Sequence, residues 1–60
     1  MSQERITVIR GTIIALEKKI RPLEWDLSRN QINEFRKQEL GRLKVQRDEL
    51  ERELDILLKN

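Results

Sequence analysis

The first half of the chain carries one uninterrupted stripe of apolar residues. Its members are alternately three and four residues apart, and they are Ile6, Ile9, Ile13, Leu16, Ile20, Leu23 and Leu27. Apolar residues at this spacing share one face of an α-helix and are typical of coiled-coil seams. The stripe therefore predicts a first helix whose apolar face needs a partner.

A second stripe follows in the other half of the chain. Its members are Ile32, Phe35, Leu40, Leu43, Leu50, Leu54 and Leu57. From Leu40 onward the spacing is heptad-like, with Arg47 at one position of the seam. Two helices with one apolar stripe each, joined by a short connection, make a helical hairpin. We therefore expect an all-α, antiparallel hairpin that forms a single domain over residues 1–60.

The single proline indicates where the first helix ends. Pro22 has no backbone N–H and clashes with the carbonyl four residues back, and it disfavours helical angles at Arg21. We expect helix 1 over about residues 3–20, followed by a corner at 21–28 that buries Trp25. Ser28 and Gln31 then form a Ser-x-x-Gln capping box, with Leu27 and Ile32 as its hydrophobic staple. These signals predict helix 2 over about residues 29–58.

The N-terminus also has an alternative interpretation. Seven of the nine residues from Ile6 to Ile14 are β-branched, which favours a strand. A strand at Ile6–Ile9, a helix from Thr12 and a second helix after Ser28 would resemble the ribbon–helix–helix DNA-binding family. The segment 28–31 resembles the opening of that family's second helix, and the resemblance covers about residues 5–42.

That resemblance implies a small DNA-binding transcriptional regulator, but the sequence departs from it in two places. A strand with Ile6 and Val8 facing the core would turn Arg10 inward and Ile9 toward DNA. Pro22 would also fall inside the first helix. The continuous seam favours a helix at this position.

The size of the chain limits what one copy can do. A chain of 60 residues buries only about 60% of its unfolded surface, so small scaffolds usually need a disulfide, a metal or a partner chain. Cysteine and histidine are both absent, which excludes disulfides, zinc fingers and thiol catalysis. Carboxylate pairs such as Glu49 and Glu53 have no pocket to desolvate them in so small a hairpin. We expect a non-enzymatic protein without a cofactor or a bound metal.

Several apolar residues lie off both stripes and indicate self-association. Val8, Ile14, Ile56 and Leu58 widen the apolar faces beyond what a contact between two helices covers. We therefore expect a homodimer in which two hairpins form a four-helix bundle.

The charges are divided along helix 2. Residues 36–47 contain five basic and one acidic residue, a net charge of +4, whereas residues 48–55 have a net charge of −4. Two antiparallel copies of helix 2 would place these segments against each other. Within one hairpin, Arg5 and Arg10 should lie beside the acidic segment. The same fold should gather one basic zone from Lys18, Lys19, Arg21, Arg36 and Lys37.

The sequence thus predicts a small protein–protein interaction module, acting as an adaptor, a regulator or an assembly factor. Its partners would be a second copy and another protein, and DNA binding is the alternative. The expected protein interface consists of the seam residues Ile6, Ile9, Ile13, Leu16, Leu43, Leu50, Leu54 and Leu57. The expected polar or nucleic-acid contacts are Lys18, Lys19, Arg36, Lys37, Arg42 and Lys44. Because no apolar run reaches about 18 residues and no signal-peptide pattern is present, we expect a cytoplasmic protein without a membrane partner.

Overall fold

The chain folds into two helices that pack side by side. The computed structural model describes residues 2–59, and of Ser2 only the backbone. Helix α1 spans Ser2–Ser28 and helix α2 spans Glu34–Lys59. The two helices run antiparallel, since Arg5 pairs with Glu53 and Glu24 pairs with Lys44. The predicted all-α helical hairpin is confirmed.

The alternative with an N-terminal ribbon is wrong. Residues 6–9 lie within α1, and the described part of the chain contains no strand. The β-branched residues Ile6 and Ile9 are buried against α2. Burial of a helical seam therefore outweighs the intrinsic preference of these residues for a strand.

Helix α1 continues past Pro22, so the predicted helix end at residue 20 and the corner at 21–28 are wrong. A proline inside a helix costs roughly 3 kcal/mol, because the carbonyl of Lys18 loses its donor. Ile20 and Leu23 lie on either side of the proline and are 1% and 4% exposed, in a cluster with Leu40. Each such side chain contributes about 1.5–3 kcal/mol when buried. Burial of both therefore offsets the proline, which itself lies on the exposed face.

Helix α1 ends in a Schellman motif. Asn30 has a φ of 58°, a left-handed conformation that asparagine tolerates better than most residues. The N–H of Asn30 donates to the carbonyl of Leu27 at 3.0 Å, and the N–H of Gln31 donates to the carbonyl of Asp26 at 2.8 Å. These two bonds satisfy carbonyls at the end of α1 and reverse the chain.

Helix α2 begins at Glu34 because Asn33 is its N-cap. The Asn33 Oδ1 accepts a hydrogen bond of 2.8 Å from the backbone N–H of Arg36. Ser28 belongs to the last turn of α1, where its hydroxyl donates to the carbonyl of Trp25 at 2.8 Å. The predicted start at residue 29 and the Ser28–Gln31 capping box are therefore wrong.

One apolar seam forms the contact between the helices. Its buried side chains in the described part of the chain are Ile6, Ile9, Leu16, Ile20, Leu23 and Leu40. All but Leu40 come from α1, whereas the seam leucines of the rest of α2 stay half-buried. The molecule is a rod of 43 × 15 × 14 Å, so its core is this single line of contacts. The seam residues of α1 are thus more deeply buried than those of α2.

The two N-cap candidates can be separated by mutation. We expect Asn33→Ala to lower the free energy of unfolding by about 1 kcal/mol, because it removes the acceptor for the Arg36 N–H. Ser28→Ala is the matched control and should change stability by less than about 0.5 kcal/mol. Urea denaturation followed by circular dichroism measures both variants. A larger loss for Ser28→Ala than for Asn33→Ala would contradict the cap at Asn33.

Candidate interaction surface

The residues predicted to contact another protein lie between the two helices of one chain. Ile6, Ile9 and Leu16 are buried there. The other five are half-buried, and they are Ile13, Leu43, Leu50, Leu54 and Leu57. Ile6, Ile9 and Leu16 therefore have almost no apolar surface left for a second protein, whereas the half-buried residues retain part of theirs.

The outward faces of both helices carry large apolar side chains. Seven of them are more than half exposed in the described part of the chain: Val8, Ile14, Trp25, Phe35, Val45, Ile56 and Leu58. The exposure of Val8, Ile14, Ile56 and Leu58 follows from their positions off the seam, as predicted. Large apolar side chains that stay in solvent are candidates for an interface with another molecule.

The predicted burial of Trp25 and Phe35 is wrong. Trp25 is 62% exposed because α1 continues through Pro22 and turns residue 25 away from the seam. Phe35 is 72% exposed. Counting back from Leu40 by four and then three residues, the intervals of the seam, gives Arg36 and Asn33, so Phe35 does not lie on the seam. The spacing of the seam was therefore enough to predict that Phe35 is exposed.

Trp25 also contacts a cation at the end of α1. The guanidinium carbon of Arg29 lies 5.5 Å from the centroid of the indole ring. An exposed cation–π contact of this kind contributes about 0.5–1 kcal/mol. The pair leaves most of the ring in solvent, where it is accessible to a partner.

Three ion pairs between described residues join the two helices of the hairpin. The guanidinium of Arg5 forms a two-point contact with Glu53, at 2.8 and 3.1 Å. The Lys44 Nζ lies 2.8 Å from Glu24, and Arg36 lies 3.5 Å from Asp26. The pair between Arg5 and Glu53 places the N-terminal part of α1 beside the acidic segment, as predicted.

The predicted basic zone is not assembled as expected. Because Asp26 pairs with Arg36, the residues that precede Asp26 lie level with a part of α2 that follows Arg36. Lys18, Lys19 and Arg21 therefore lie beside the middle of α2 rather than beside Arg36 and Lys37. Of the six predicted polar contacts, Arg36 and Lys44 are paired with carboxylates of their own chain. The other four are exposed and form no ion pair with any described residue, and they are Lys18, Lys19, Lys37 and Arg42.

Arg47 occupies a seam position, and its side chain is 24% exposed. Its guanidinium pairs with Asp48 at 3.3 Å and with Glu51 at 3.4 Å, so the charged end leaves the seam toward one edge of the hairpin. A polar residue in a coiled-coil seam helps to specify register at a cost in stability.

Two carboxyl groups have shifted pKa values. A hydrogen bond from Lys44, with the charges of Lys44 and Arg47, holds the pKa of Glu24 below its ordinary value of 4.5. A hydrogen bond from Arg5, with the charge of Arg5, lowers the pKa of Glu53 in the same way. The same contact raises the pKa of Arg5. Both carboxylates therefore favour the folded hairpin when they are ionised.

The outer face of α2 has a shallow depression near its middle. Gly41, Arg42, Val45 and Gln46 line it. Apart from Gly41, its two neighbours in the chain and the nearby backbone of α2, no described atom lies within 4 Å of the position that a Cβ on Gly41 would occupy, so the space above this glycine is open. The depression gives another helix room to approach the backbone of α2 closely.

Comparison of the chain with protein-family models, curated proteins and solved structures found no match. Neither α1 nor α2, as described over residues 2–59, has a segment of the length and apolarity that crossing a bilayer requires. Within the same residues, no group of three or more acidic side chains is arranged to hold a metal ion.

The cross-helix ion pairs predict a stability that falls in acid. The pKa values of Glu24 and Glu53 are lower in the folded chain than in the unfolded chain, so their stabilisation is present above pH 4.5 and is lost as the pH falls through the folded values. We expect a lower melting temperature at pH 3 than at pH 7, and a smaller difference in Glu24→Gln and Glu53→Gln. Glu39→Gln is the control, since Glu39 has no ion pair among the described residues. If the melting temperature, measured by circular dichroism, fell equally between pH 7 and pH 3 in all three variants, the role of the two ion pairs would be contradicted.

Proposed function

We propose that the chain is a small non-enzymatic protein-interaction module that works as a homodimer, with two hairpins forming a four-helix bundle. In this role it would act as an adaptor, a regulator or an assembly factor. One observation carries the proposal. After α1 and α2 have covered each other, seven large apolar side chains among residues 3–59 remain more than half exposed. Each of them gains up to about 1.5–3 kcal/mol when an interface buries it fully.

The small size of the hydrophobic core supports the proposal that the hairpin associates with a partner. A single seam with six buried side chains among the described residues is a small core, and below about 70–80 residues such a core rarely supplies more than about 3–5 kcal/mol. The chain has no cysteine with which to form a disulfide. Burial of helical faces against a second chain would therefore add hydrophobic stabilisation, which the small core supplies only in part.

The interface that we propose differs from the seam itself. Ile9 is 1% exposed in the single chain and has no apolar area to contribute. The outward faces hold the area that remains, together with the uncovered edges of the half-buried leucines of α2. A partner would thus be recognised by these surfaces while the hairpin stays intact.

The environment of the carboxylates supports a non-enzymatic role. In the described part of the chain, no polar or charged side chain is buried. Catalytic acids and bases are typically desolvated in a cleft, which shifts their pKa values by several units. The carboxylates here lie on the surface of a rod, where most of them form ion pairs.

A nucleic-acid-binding regulator is the second candidate, and the two exposed aromatic side chains favour it. Trp25 and Phe35 both lie near the connection between the helices, and aromatic rings in solvent can stack on bases. Lys18, Lys19 and Lys37 are available for phosphates, as none of them pairs with a carboxylate among the described residues. This candidate uses the helical hairpin and not a ribbon.

Sedimentation velocity over a range of micromolar concentrations tests the proposal. We expect a species with twice the chain mass of 7.3 kDa, with a dimer fraction that rises with concentration. A monomer at every concentration would overturn the homodimer. A monomer that co-sediments with an oligonucleotide at low salt, and separates from it as salt is added, would favour the second candidate.

A further inference from the structure

One line of residues on the outer face of α2 has a self-complementary order. Phe35, Arg42, Glu49 and Ile56 are seven residues apart, and we call them the outer stripe. Residues at this spacing stay on one side of a helix, with a drift of about 20° for each heptad. All four are exposed, with Phe35 at 72% and Ile56 at 56%. The stripe reads apolar, positive, negative, apolar, so an antiparallel copy matches each charge with its opposite.

Glu49 is set apart from its acidic neighbours by its lack of an ion pair. Four of the five acidic side chains between residues 48 and 55 pair within the chain, and they are Asp48, Glu51, Glu53 and Asp55. Glu49 is the fifth, and it pairs with no basic group in residues 2–59. Its carboxylate is therefore available to a cation on another molecule.

Arg42 is the corresponding residue in the basic half. Arg36, Lys44 and Arg47 form ion pairs with carboxylates of the same chain. Arg42 and Lys37 form none with any described residue, and Arg42 is the one that lies on the outer stripe. The stripe thus carries one available charge of each sign, two helical turns apart.

We propose that a second copy of this chain docks antiparallel on the outer stripe, with the two-fold axis passing between Val45 and Gln46. This inference rests on the proposed homodimer and names its interface. The axis places Arg42 opposite Glu49 of the second copy, and by symmetry this pair occurs twice. It also places Phe35 opposite Ile56 of the second copy, so that each apolar end of the stripe covers the other.

The shape of α2 fits this axis. The depression lined by Gly41, Arg42, Val45 and Gln46 lies at the midpoint of the stripe, where the two helices would approach each other most closely. Val45, which is 56% exposed, would be covered there. An axis at this point aligns residue 34 with residue 57 of the second copy. The contact therefore extends over nearly all of a 26-residue helix, about 39 Å long.

The overall charge of α2 selects the antiparallel orientation. Residues 36–47 have a net charge of +4 and residues 48–55 a net charge of −4, so antiparallel copies attract and parallel copies repel. A second depression, lined by Gln46, Glu49, Leu50 and Glu53, connects the stripe with the half-buried seam residue Leu50. A docked copy would therefore also cover part of the seam that α1 leaves open.

Charge reversal on the stripe tests the inference. In Arg42→Glu the homodimer has acidic groups facing each other at both pairs, and in Glu49→Arg it has basic groups facing each other. We expect each variant to dimerise about tenfold more weakly than the wild type, since two attractions become two repulsions. A one-to-one mixture of the two variants restores both pairs, and we expect it to form a heterodimer about as tight as the wild-type dimer. Sedimentation measures the affinities, and native mass spectrometry identifies the heterodimer by its mass.

Lys18→Glu on α1 is the matched control, because it makes the same change in net charge at an exposed residue outside the stripe. It should dimerise like the wild type and should not rescue Glu49→Arg when the two are mixed. Circular dichroism verifies that every variant keeps the helical content of the wild type. If the wild type is a monomer, both the homodimer and its interface are wrong. If the wild type is a dimer and the two stripe variants dimerise as tightly, the homodimer stands and the outer stripe is excluded as its interface.

Discussion

The packing of α1 against α2 along one apolar seam is the interaction on which the rest of the structure depends. Ile9 and Ile20 are each 1% exposed, although the rod is only two helices wide. Most helical stability in proteins comes from the packing of an apolar face rather than from intrinsic helix propensity. The seam therefore explains why a β-branched segment is helical, and why a helix passes through a proline.

The spacing of apolar residues predicted the fold and most of the seam. Six of the seven residues of the first stripe are buried or half-buried, and only Leu27 is exposed. Local signals at the connection were less informative. Pro22 and Ser28 each predicted a boundary, but the burial of Ile20 and Leu23 carried α1 through Pro22 and as far as Ser28. Whether α1 continues through Pro22 depends on the burial that α2 provides for its apolar residues. The residues next to Pro22 in the sequence do not indicate how large that burial is.

The candidate surface was only partly predictable for the same reason. Residues off the seam were expected to be exposed, and Val8 and Ile14 are. The basic zone was placed incorrectly because its composition depends on the register between the helices. The ion pairs of Glu24 and Asp26 show where that register lies. Arg42 and Glu49 are then recognised as charged side chains that form no ion pair with any described residue of their own chain.

Urea denaturation of Ile20→Ala and Ile14→Ala shows whether one intrachain seam holds the hairpin together. Both changes remove the same atoms from α1, but Ile20 is 1% exposed and Ile14 is 54% exposed. We expect the free energy of unfolding to fall by about 2–5 kcal/mol for Ile20→Ala, and by less than about 0.5 kcal/mol for Ile14→Ala. Equal losses in the two variants, or a larger loss for Ile14→Ala, would contradict the role of that seam.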